Sequence, residues 1–259
     1  MTRLALPLLT TLLLMLVATG ARAGEVLVAV AANFTDPARQ LAERFEAQTG
    51  HRARLSFGST GKLYAQIVHG APFEVLLAAD SRHPAMIEER GLAVAGTRFT
   101  YARGQLVLWS PLPELFQDGE TYLAASGSAP LAIANPRTAP YGLAARQVLE
   151  HLHRWPAMQD RLVRGDSIAQ TFQFVATGNA EAGLVALSQV RAWPDQTGSL
   201  WPVPTGYHQP IAQQAVLLTR GEDNPAAYAW LAFLRSDSGR AQIRHFGYHL
   251  DASGQGAER

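Results

Sequence analysis

The chain has 259 residues, 22 of them Lys or Arg and 21 Asp or Glu, and it contains no cysteine. These figures exclude disulfides and a thiolate nucleophile, and give no electrostatic case for nucleic acid or an anionic membrane surface as partner. The length suits two domains of about 100–150 residues or one larger one.

Arg3 precedes an almost wholly apolar run from Leu4 to Val17, and Ala21-Arg22-Ala23 supplies a small-x-small cleavage pattern. The run is short for a membrane span, which disfavours an uncleaved anchor. We expect a signal peptide over residues 1–23, removed to leave a soluble chain in the bacterial periplasm. The mature chain loses Arg3 and Arg22 and no acid, so 22 and 21 become 20 basic against 21 acidic side chains, a formal charge of −1. It also lacks the cysteine that a lipoprotein anchor needs.

Strand-length apolar runs then alternate with stretches at helical spacing, which predicts an α/β chain with mainly parallel sheets. Val26 to Ala32 reads as a strand ending at Asn33. Thr35 or Asp36 caps the helix that follows, with Ala38, Leu41, Ala42 and Phe45 on one face and Gly50 as its stop. Leu55 to Leu63 repeats the strand-to-helix step through Ser59 and Thr60, and Leu63, Tyr64, Ile67 and Val68 form the next apolar face. Phe73 to Ala79 is strand-like, Ser81 to Arg90 helical, and Phe99 to Trp109 extended. Leu131 to Ala134 gives a strand, and residues 135–142 lead into a helix through Leu152. Asp166-Ser167-Ile168 opens a helix carrying Phe172 and Val175, followed by a strand from Ala182 to Leu187. Ile211 to Thr219 is extended, and helices over Pro225 to Leu234 and Ser238 to Phe246 close the chain.

The first two steps place amide, hydroxyl or glycine residues where a helix begins. N–H groups there are unpaired and lie at the positive end of the helix dipole, so each step suits an anion. Two such steps on one sheet edge can grip a single anion from both sides.

In order along the mature chain stand Ala31-Ala32-Asn33-Phe34, Phe57-Gly58-Ser59-Thr60-Gly61-Lys62-Leu63, Gly70-Ala71-Pro72-Phe73-Glu74-Val75 and Ala79-Asp80. Asn135-Pro136, Pro140-Tyr141-Gly142, Gly165-Asp166-Ser167-Ile168 and Gly183-Leu184-Val185 follow. The set resembles the periplasmic molybdate-binding proteins of ABC importers. That resemblance implies the type II periplasmic-binding fold, two α/β lobes joined by two crossover strands. It puts lobe I at residues 24–102 and 215–259 and lobe II at 103–214, with crossovers near Ala102 to Leu108 and Ile211 to Val216. The implied ligand is molybdate or tungstate, held as an oxyanion with no direct protein–metal bond and no cofactor. The implied partner is an inner-membrane permease, and the expected state is a monomer.

Carried over position by position, the resemblance implies binding by Asn33, Ser59, Thr60, Tyr141 and Ile168. Asn33 would offer its side-chain N–H. Thr60 is favoured over Ser59 as the main hydroxyl. Tyr141 and Ile168 would offer backbone N–H groups, the Tyr141 phenol being secondary. Some members carry a Tyr where this chain has Ala186, so that phenol is missing here.

Other readings are weaker. Gly58 to Lys62 fails the nucleotide-loop pattern, with Ser56 and Leu63 at two required positions. Lys62 reads as a solvated first-turn side chain. Ser167 with Asp80-Ser81-Arg82-His83 suggests a serine esterase, but in reversed order, and Asp166 reads better as a helix cap. His151 and His153 point to different helix faces and make no metal pair. The expectation is a binding protein with no chemistry of its own. Another small oxyanion such as sulfate is the alternative ligand.

Overall fold

The computed structural model describes residues 23–125, 129–195 and 197–251. The expected signal peptide, apart from Ala23, lies outside the described residues. Strand β1 (Glu25–Ala31) passes through a single 3-10 turn, Ala32–Phe34, into helix α1 (Thr35–Thr49). The expected face of α1, with Ala38, Leu41 and Phe45, is buried. The helix stops at Gly50, whose φ of 71° lies in the left-handed region that glycine adopts without strain.

Strand β2 (Arg52–Gly58), α2 (Thr60–Val68), β3 (Val75–Leu77), α3 (Arg82–Glu89) and β4 (Phe99–Gly104) follow. The middle of the chain forms β5 (Leu106–Ser110), α4 (Gly119–Ala124), β6 (Leu131–Ala134), α5 (Pro140–His151), α6 (Trp155–Met158), β7 (Leu162–Gly165), α7 (Ile168–Ala176), β8 (Ala182–Ala186), α8 (Leu187–Ala192) and β9 (Ser199–Pro202). Strand β10 (Ile211–Leu217), α9 (Pro225–Arg235) and α10 (Asp237–His245) complete it.

The strands form two five-stranded sheets, ordered β2-β1-β3-β10-β4 and β7-β6-β8-β5-β9. Only β10 in the first and β5 in the second run against their neighbours, so both sheets are mainly parallel, as the alternating pattern predicts. The chain changes sheets at Gln105 and again over residues 203–210. The run expected as one extended segment, Phe99 to Trp109, is therefore two strands in different sheets. The sequence-based limits at 102 and 215 fall inside β4 and β10.

Each sheet is covered on both faces. Phe45 on α1 packs edge-on against Trp230 on α9, ring centroids 5.1 Å apart, over one face of the first sheet. Leu63, Ile67 and Ile87 cover the other. In the second sheet Trp109 stacks on Phe172 at 4.8 Å, while Ala144, Ala145, Val148 and Leu149 of α5 fill the opposite face. Burying one such large side chain contributes about 1.5–3 kcal/mol, which anchors the helices and so fixes where they begin.

Candidate functional site

β1 and β2 end side by side, with Ala31 opposite Gly58, and β6 and β7 end likewise, with Ala134 opposite Gly165. Each of these strands leads within a few residues into a helix start. Ligands of open parallel sheets bind outside the carboxyl ends of the strands. Here a small cavity joins those ends from both sheets. It is lined by Asn33, Ser59, Thr60, Tyr141 and Ile168, together with Pro140 and four alanines. All five residues expected from the sequence thus meet at one place, and among the described residues no charged side chain lines it.

Ser59 precedes α2 with extended backbone angles, and its side chain makes no capping bond. Its Oγ is buried and has no hydrogen-bond partner. Thr60 is fully buried, and its Oγ1 accepts from the Ala79 N–H at 3.0 Å. The Thr60 hydroxyl proton is still available, and of the two hydroxyls Ser59 is the one with no partner among the described residues. Tyr141 and Ile168 sit in the first turns of α5 and α7, where backbone N–H groups have no intrahelical acceptor. Pro140 occupies the first position of α5, where its missing N–H costs nothing.

Asn33 departs from expectation. Its Nδ2 donates to Gln213 Oε1 and to the Tyr248 hydroxyl, both at 2.9 Å, and its Oδ1 is the buried atom left without a partner. Asp166 is also corrected: Ser167 caps α7 by accepting from the Gln170 N–H at 3.3 Å. The Asp166 carboxylate instead meets Lys62 Nζ at 2.8 Å, so Lys62 is paired rather than merely solvated. Ala186 lies at the end of β8, where its N–H donates to Gln189 Oε1 at 3.2 Å, and it does not line the cavity. His83 pairs with Asp80 at 2.7 Å, and no hydrogen bond joins it to Ser167 among the described residues.

Behind the cavity lies a polar network that the sequence did not disclose. Gln213, Tyr101, Tyr248 and Ser188 come from four separate segments and surround Asn33 and Tyr141. The available signal was two consecutive glutamines, Gln213 and Gln214, inside an apolar strand. Burial pushes the phenols of Tyr101, Tyr141 and Tyr248 above their ordinary range, so each remains a neutral O–H.

Two sheets joined by two chain crossings and enclosing an uncharged, donor-rich cavity define a two-lobed solute-binding protein. A family model described as bacterial extracellular solute-binding protein matches residues 26–249, and the chain belongs to that family. It is 52% identical to the molybdate-binding protein ModA of Azotobacter vinelandii over 91% of this chain and 94% of that protein. It is 46% identical to ModA of Rhodobacter capsulatus over 91% of this chain and 92% of that one. The solved Azotobacter vinelandii periplasmic molybdate-binding protein superimposes with a TM-score of 0.84 at 40% identity, covering 88% of this chain and all of its own. The resemblance carried by the motifs therefore extends over nearly the whole chain, and places it among binding proteins rather than enzymes.

Proposed function

We propose that this protein captures molybdate in the periplasm, as the bare tetrahedral dianion, and presents it to an ABC importer permease. Tungstate, of the same charge and shape, binds about equally. The observation that carries the reading is the buried, unpartnered Ser59 hydroxyl, set in an uncharged cavity beside helix starts from both sheets. The names of the relatives point the same way.

The physical case rests on donors. Molybdate offers acceptor oxygens only, and a charge-assisted hydrogen bond is worth about 1.5–3 kcal/mol, so several together offset lost hydration. Ser59, Thr60 and Asn33 act from the first lobe, and the N–H groups of Tyr141 and Ile168 from the second. The lobes comprise residues 24–104 with 211–259, and residues 106–202, hinged where the chain changes sheets, at Gln105 and over residues 203–210. Sulfate has the same charge but is smaller, so cavity size sets that preference. Hydrogen phosphate must place its proton on a group that would otherwise donate to the anion, so it gives up a hydrogen bond that molybdate makes.

Calorimetry with molybdate, tungstate, sulfate and phosphate at micromolar protein tests this directly. Molybdate and tungstate binding tightly, with sulfate and phosphate far weaker, is expected. Tight sulfate binding without molybdate binding overturns the reading.

A further inference from the structure

Gln213 is fully buried on β10 and touches both halves of the molecule. Its Oε1 lies 2.9 Å from Asn33 Nδ2 and 3.0 Å from the Tyr101 hydroxyl, and its Nε2 lies 3.3 Å from the Tyr141 hydroxyl. The β10–β4 register slips between Gln213 and Gln214 and leaves Tyr101 without an opposite residue. Such a bulge re-aims side chains, and here it brings the Tyr101 hydroxyl to Gln213.

With these bonds in place, Asn33 Oδ1 is buried with no partner. An acceptor there is both costly in itself and repulsive to an oxyanion. The O and N of a carboxamide fill the same envelope, so the surrounding network decides which faces the cavity. Turning over both amides keeps every heavy-atom contact. Gln213 Nε2 then donates to Asn33 Oδ1 and to the Tyr101 oxygen, and the Tyr248 hydroxyl turns its single proton from the Asn33 carbonyl, 2.9 Å away, to Asn33 Oδ1. The Tyr141 hydroxyl donates to Gln213 Oε1, and the Tyr101 hydroxyl to the Ala78 carbonyl, 3.3 Å away. The Ser188 hydroxyl keeps its bond to the Asn33 carbonyl at 2.9 Å. The buried atom without a partner is then Asn33 Nδ2, a donor whose desolvation a bound oxyanion can offset, as it cannot for the Oδ1 acceptor.

We propose that Gln213 is a positioning residue that holds the Asn33 carboxamide with Nδ2 turned into the cavity, and that couples this orientation to the second lobe through Tyr141. The inference rests on the oxyanion reading given above. It makes Gln213 a determinant of selectivity without any contact to the ligand, because it decides whether Asn33 shows the anion a donor or an acceptor.

A double-mutant cycle with Asn33→Ala and Gln213→Leu, read by molybdate calorimetry, tests it. Each single change is expected to weaken binding about 10- to 100-fold, and the double variant to be no weaker than Asn33→Ala alone. Losses that multiply mean Gln213 acts independently of Asn33, which overturns the proposal while leaving the oxyanion reading intact. Absence of molybdate binding by the unaltered protein overturns both. A measurement on the unaltered protein guards against misfolding of Gln213→Leu. In the molybdate complex, the Asn33 side-chain N–H resonances should shift on saturation and show no close approach to the Tyr248 ring by nuclear Overhauser effect. A strong effect between that amide and that ring overturns the proposal.

Discussion

Lys62 Nζ, on the first turn of α2, lies 2.8 Å from Asp166 Oδ2, in the turn before α7, so one ion pair spans the opening between the two sheets. Close by, the Gly61 N–H donates to the Thr138 carbonyl at 2.9 Å. The Ser188 hydroxyl reaches the Asn33 carbonyl across the same divide, also at 2.9 Å. These contacts describe a closed molecule, and each bears on closure with a different strength.

The ion pair is the weakest. Its side chains are 50% and 72% exposed, and such pairs contribute about 0–1 kcal/mol. Lys62→Ala is therefore expected to lower molybdate affinity by no more than about fivefold at low salt. Raising the ionic strength should bring the variant and the parent together, because exposed charges are screened. Calorimetry at two salt concentrations checks this, and a loss that persists at high salt contradicts it.

Gly61 is a stronger lever. A Cβ there would stand 3.0 Å from the Thr138 carbonyl oxygen and 3.1 Å from its Cα, both backbone atoms of the facing lobe. Gly61→Ala should leave the open, ligand-free protein as stable or slightly more so, since Ala favours a helix over Gly by about 1 kcal/mol. Closure should suffer by about 1–3 kcal/mol of overpacking, an affinity loss of about 5- to 150-fold. Thermal melts without ligand and calorimetry with molybdate should move in opposite directions. Scattering should also show a smaller ligand-induced decrease in radius of gyration than in the parent.

Ser59 and Thr60 separate by what each does without ligand. Ser59→Ala removes a buried hydroxyl that has no protein partner, so ligand-free stability should hold while affinity falls by about 1.5–3 kcal/mol. Thr60→Ala additionally strands the buried Ala79 N–H, at a cost of about 1–3 kcal/mol in ligand-free stability. Denaturant melts of the two variants without molybdate decide it. Equal stabilities would mean that the Thr60 bond to Ala79 contributes nothing.

The strand-to-helix steps were legible because each combines a buried apolar strand with a small polar residue at a helix start, both local signals. The same locality explains what was missed. Arg103-Gly104-Gln105 interrupt the apolar pattern of Phe99 to Trp109 at the change of sheet, inside the crossover expected near Ala102 to Leu108, but so short a break does not by itself show that the chain leaves one sheet for the other. Strands β7 and β9 have four residues each and are only partly buried, so unlike the equally short but wholly buried β6 they carry no continuous apolar run. Asp166 and Ser167 are both good caps, and sequence could not choose between them. The partners of Asn33 lie 155 to 215 positions away, and only the packed sheets bring them within 3 Å.

The three buried phenols behind the cavity give the protein a specific alkaline limit. Burial raises Tyr101, Tyr141 and Tyr248 above the ordinary 10.0, and Tyr101 and Tyr141 are raised further by the neighbouring phenols. Above about pH 10 the unfolded chain releases these protons while the folded chain keeps them. The folded state then binds more protons than the unfolded one, so stability must fall as pH rises. Below that pH all three are neutral in both states, and their contribution is fully present and constant. Each phenol should subtract about 1.4 kcal/mol per pH unit between its unfolded and folded values. Denaturant melts between pH 7 and 11.5 should therefore show stability independent of these phenols up to about pH 9.5, followed by a steep loss. Tyr101→Phe should make the loss shallower by one proton. A variant that loses stability above pH 10 as steeply as the parent would mean that Tyr101 already ionises in the folded protein, contrary to its burial.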